Sequence, residues 1–152
     1  MLRSIPTVLA ALVGVAPLTA CYVSTGPPVY TEEVVVVEQN VPPYVNWAQG
    51  GCYFDGYYYD DIWYFEADVD DANSPYDVTF VYADVYDDYT GAFVDTFELF
   101  PTDNPYLWFS DWLGATTYLD CAYSGYSVDI VAYDSYDAVD IITIYPQTHA
   151  LY

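Results

Sequence analysis

The chain has 152 residues, 55 % of them hydrophobic and 20 % aromatic, with 20 tyrosines. That much apolar surface can fill a core, which separates the chain from disordered acidic sequences. Its 23 acidic side chains face a single basic one, Arg3, for a formal charge of −22. Binding to nucleic acid or to anionic lipid head groups needs clustered Lys and Arg, so both are excluded.

In chain order, Arg3 is followed by an uncharged apolar run over residues 5–18 and then by Leu18-Thr19-Ala20-Cys21. A basic start, an apolar middle and small residues at the end are the layout of an export signal. The run is short and broken by Pro6, Gly14 and Pro17, which suits a signal better than a membrane span. The Leu-Thr-Ala-Cys motif resembles the lipobox of bacterial lipoproteins. That resemblance implies removal of residues 1–20 and diacylation of the Cys21 thiol. The membrane partner is then reached through acyl chains, two of which anchor stably where one does not. Tyr22, in place of an aspartate, resembles lipoproteins sent to the outer membrane.

Residues 21–46 read as a tether, with Pro27-Pro28 and Pro42-Pro43 favouring extended chain. The valine run 34–37, flanked by Glu32, Glu33 and Glu38, fits either a guarded linker patch or a strand added to a sheet edge. Residues 47–152 are the size of one domain. With Cys21 taken by lipid, Cys52 and Cys121 form an even pair in an oxidising compartment. That predicts a disulfide, the alternative being two free thiols.

Within the domain, Gln49-Gly50-Gly51-Cys52 reads as a loop and Asp55-Gly56 as a turn. Residues 62–69 alternate, with Trp63, Phe65, Ala67 and Val69 on one face and Tyr64, Glu66 and Asp68 on the other, which predicts a half-buried strand. The same period predicts strands over 76–86, 92–100, 126–133 and 138–145, and shorter ones over 106–109 and 116–119. No stretch has a helical period. Six or seven short strands separated by turn signals predict an all-β, antiparallel β-sandwich. The run Tyr126-Ser-Val-Asp-Ile-Val-Ala-Tyr-Asp-Ser135 with its following strand resembles the closing hairpin of bacterial immunoglobulin-like domains. The resemblance implies an immunoglobulin-like sandwich. Cys52 departs from it, lying ahead of the first predicted strand rather than on the second.

Chemistry has few footholds. His149, the only histidine, sits at the chain end, where a base is poorly held. Paired aspartates suit glycoside hydrolysis, but so many acids make some pair inevitable. Asp68, Asp70, Asp71 and Asn73 bring four oxygen-bearing side chains into one inter-strand segment and are candidate calcium ligands, similar to the Asp-x-Asp loops of cadherin-like modules. Asp134, Asp137 and Asp140 form a second cluster, and Asp87-Asp88 a third. The simpler reading gives these aspartates to turns, where they bond nearby N–H groups. Tyr57-Tyr58-Tyr59 and outward strand tyrosines suit a protein or glycan partner. The expectation is a lipid-anchored, non-enzymatic binding or structural module of the cell envelope that requires no cofactor. Its alternatives are a calcium-dependent adhesion module and a carbohydrate-active enzyme.

Overall fold

A computed structural model describes residues 39–148. Seven strands make up nearly all of its regular structure: β1 (Tyr44–Asp55), β2 (Asp60–Asp70), β3 (Val78–Asp87), β4 (Phe93–Pro101), β5 (Leu107–Leu113), β6 (Tyr126–Asp134) and β7 (Val139–Ile144). A single 3-10 turn, Gly114–Thr116, follows β5. The alternation of 62–69 carries through in β2, whose Trp63, Phe65, Ala67 and Val69 are fully buried. In β3 and β6 the same period buries Val81, Ala83, Val85, Val128, Ile130 and Ala132. Each large side chain buried this way contributes about 1.5–3 kcal/mol.

The strands pair in the order β1-β2-β5-β4-β3-β6-β7, every neighbour antiparallel. Strand β4 joins two halves, pairing with β3 along most of its length and with β5 only at Phe100 and Pro101. The halves share one core, in which Phe65 of β2 stacks on Phe97 of β4 at 5.2 Å between ring centres. Trp63 meets Tyr126 of β6 edge-on at 5.8 Å. Past β7 the chain returns to β1. Cys52 N–H donates to the Gln147 carbonyl at 2.8 Å and Gln147 N–H to the Gly50 carbonyl at 2.9 Å. This parallel bridge curls the sheet almost shut. The fold is thus all-β and antiparallel, compatible with a sandwich, but its one continuous sheet is nearly barrel-shaped.

Two local expectations need correction. The stretch 49–52 is the middle of β1, not a loop. Its glycines mark close approaches rather than a turn: a Cβ on Gly50 would lie 2.7 Å from the Phe65 ring, and one on Gly51 2.8 Å from the Gln147 carbonyl. Residues 116–119 form no strand. The hydroxyls of Thr116 and Thr117 donate back to the carbonyls of Leu113 and Gly114, which diverts the segment from a ladder. Cys52 and Cys121 are joined, with Cα atoms 5.8 Å apart, tying β1 to the β5–β6 connection. The leader, Cys21, the valine run and His149 lie outside the described residues.

Three hairpins show where aspartates go. Asp55 closes the β1–β2 turn by accepting Tyr57 and Tyr58 N–H, and Asp87 closes β3–β4 by accepting Tyr89 and Thr90 N–H. Asp134 accepts Tyr136 and Ala138 N–H in β6–β7. Each turn then needs a left-handed residue, supplied by Tyr59, Gly91 and Asp137.

Candidate functional site

The β2–β3 loop and the β6–β7 turn come together because β3 lies against β6, with Val78 opposite Asp134. Asp71 and Asp77 from the loop and Asp134 from the turn each offer a carboxylate oxygen within 4.8 Å of the other two. Asp71 is 4 % exposed and Asp134 1 %, while Asp77 is half-buried. Among the described residues there is no Lys or Arg to pair with them.

N–H groups hold the cluster in place. Both Asp134 oxygens are used: Oδ1 by its turn and Oδ2 by the Asn40 amide, which donates at 2.6 Å. Burial pushes the Asp134 carboxyl up. The Asn40 amide and the Ala138 and Tyr136 N–H groups outweigh it, leaving the carboxyl below its ordinary range. Asp71 Oδ1 accepts Asn73 N–H at 2.7 Å. Its Oδ2 is enclosed and has no hydrogen-bond partner among the described residues, and the same holds for Asn40 Oδ1. Ser135 donates its hydroxyl to Asp77. Beside the cluster a hollow of about 360 Å³ is lined by Asn40, Asn73, Asp77, Ser135, Tyr76 and Tyr136, among others. Tyr76 also borders a second hollow, of about 310 Å³, walled by Pro75, Pro101, Pro105 and Trp108.

The four candidate calcium ligands separate. Only Asp71 joins the carboxylate cluster. Asp68 accepts from the Asn46 amide, Asp70 caps Asp71 N–H, and Asn73 Oδ1 accepts Val41 N–H while lining the hollow. The second aspartate cluster separates too. Asp134 enters the site, Asp140 accepts Val45 N–H, and Asp137 shapes the turn. Asp87 belongs to a different arrangement, accepting the Tyr123 hydroxyl at 2.7 Å. Asp77 and Asn40 carry no signal in the sequence, because neither sits in an acidic run. Asp61 lies near both cysteines, but their sulfurs are spent on the disulfide. Tyr57 and Tyr58 pack edge-on at 4.9 Å on an exposed turn. No family model, curated protein or solved structure matches this chain.

Proposed function

We propose that the chain is a lipid-anchored, non-enzymatic binding module of the bacterial cell envelope, an immunoglobulin-like β-sandwich on a Pro-rich tether. The observation that carries the binding role is the gathering of two loops, with buried carboxylates and two adjoining hollows, at one end of a rigid sheet. Loops positioned by a rigid scaffold are where recognition residues concentrate.

Strand order supports the immunoglobulin-like reading. Strands β1-β2-β5 follow the order A-B-E of such domains, and β3-β6-β7 the order C-F-G, with β4 placed beside β3. Tyr126, at the start of β6, accepts Asp120 N–H through its hydroxyl at 3.0 Å. A tyrosine at that position bonding back to the upstream backbone is a hallmark of these sandwiches. The carbohydrate-active reading fares worse. Asp134 does not suit the acid of a glycosidase, which needs a raised carboxyl, because the surrounding N–H donors hold it below its ordinary range. The calcium-dependent adhesion reading gains from the convergence of Asp71, Asp77 and Asp134.

Anchoring rests on Leu18-Thr19-Ala20-Cys21. Intact mass of the membrane-extracted protein should show the first 20 residues gone and acyl chains on Cys21, with Cys21→Ser leaving the protein unprocessed. An unmodified Cys21 would refute the anchor. Protease shaving of intact cells, then cross-linking with the purified chain, tests exposure and partner binding. A chain that captures no envelope protein or glycan would turn the reading toward a purely structural role.

A further inference from the structure

We propose that Asp71, Asp77 and Asp134, with Asn40, form a calcium site that fastens the approach to β1, the β2–β3 loop and the β6–β7 turn to one another. It stands independently of the anchor and of any partner.

Grouped acids alone mean little on a chain this acidic. The decisive feature is the Asp71 side chain, 4 % exposed and facing two other carboxylates, with Oδ2 lacking any partner among the described residues. An enclosed carboxylate oxygen with neither hydrogen bond nor counter-charge is strongly unfavourable. Asn40 adds a second enclosed acceptor, its Oδ1, while its Nδ2 is committed to Asp134. Every group in want of a partner here is therefore an acceptor. A water molecule could donate to two of them but would leave three negative charges together.

A cation answers both needs, and the donor set selects its kind. All the groups are oxygens, which suits a hard ion rather than zinc or copper. Oxygens on opposite sides of a calcium ion lie about 4.6–5.2 Å apart, given bond lengths of 2.3–2.6 Å. One carboxylate oxygen from each of Asp71, Asp77 and Asp134 lies within 4.8 Å of the other two, which fits that span. Magnesium usually takes one or two carboxylates and keeps its waters, so three carboxylates converging from one loop and one turn favour calcium. Half-buried Asp77 and the adjoining hollow give the ion a route in and leave room for water to complete its shell.

The test titrates the purified full-length chain with CaCl₂, and in parallel with MgCl₂, in roughly 0.1 M NaCl to suppress general screening. Calorimetry should find one saturable calcium site with Kd on the order of 10⁻⁴–10⁻³ M, as in extracellular modules. At about 5 mM calcium the Tm should rise by roughly 4–10 °C. Terbium, substituted for calcium, should emit through Tyr76 and Tyr136 at the hollow. Asp71→Asn should abolish binding and Asp77→Asn weaken it about tenfold or more, while Asp70→Asn leaves it unchanged. If Asp71→Asn does not fold, the half-buried Asp77→Asn carries the test. No saturable calcium binding by the wild type would overturn the proposal. So would magnesium binding equally well, or Asp70→Asn weakening calcium as much as Asp77→Asn does.

Discussion

Tyr123 and Asp87 show how one hydrogen bond sets two titrations in opposite directions. The Tyr123 hydroxyl, together with Thr90, holds the Asp87 carboxyl below its ordinary range. The bond to Asp87, then burial and nearby charge, raises Tyr123 from 10.0 to about 12. A lowered carboxyl adds stability above its unfolded pKa and loses it as pH falls through the folded value. A raised phenol adds stability below its unfolded pKa and loses it as pH climbs toward the folded one. The gap in urea stability between wild type and Tyr123→Phe should therefore be widest and flat from roughly pH 5 to 9, and shrink at both ends. A gap that persists at pH above about 12 would show that the bond is not what shifts the phenol.

Strand β1 is held on two sides, by the ladder to β2 and by the parallel bridge to Gln147. Gly51 makes the second contact fit, since an added methyl would fall 2.8 Å from a backbone carbonyl that cannot swing aside. Gly51→Ala should cost about 1–3 kcal/mol in urea unfolding, with faster hydrogen exchange at Cys52 and Gln147. Gly56, with open space around its Cα, is the control, and Gly56→Ala should be close to neutral. The disulfide binds the same strand to Cys121 across a separation of 69 residues. Closing a loop of that length is worth about 4 kcal/mol on the chain-entropy account. Reduction, or the Cys52→Ala/Cys121→Ala pair, should lower stability by about that amount, out of an expected 5–15 kcal/mol. A loss well under about 1 kcal/mol would mean that hydrogen bonding at the bridge already holds β1.

At the scale of the whole molecule, 20 of the 23 carboxylates lie among the described residues, with no Lys or Arg beside them there. Backbone N–H groups at the hairpins take up part of that charge, as at Asp55, Asp87 and Asp134. The remaining self-repulsion opposes the compact state. Raising NaCl from about 0.01 to 0.1 M shortens the Debye length from roughly 30 to 10 Å and should raise the Tm. A Tm indifferent to salt would show that the turn N–H groups already neutralise the charge that matters.

Residue order alone determined the strands whose faces differ. Trp63 to Val69 and Tyr126 to Ile130 alternate by twos, and a pleated strand with one wet face permits little else. It also pointed to the Cys52–Cys121 disulfide that the structure contains, once Cys21 is read as the lipid-bearing cysteine. Strand β1 was hidden by Gly50 and Gly51, which look like a loop until the Phe65 ring and the Gln147 carbonyl are seen pressing on them. The carboxylate site was half legible. Asp71 and Asp134 each stood in an acidic run, but those runs lie about sixty residues apart in the chain. Only the β3–β6 ladder brings them together and recruits Asp77 and Asn40, while Asp68 and Asp70 turn to local partners. Local pattern fixes which side of a strand is dry; which loops meet depends on strand order, and strand order is set by packing across the whole core.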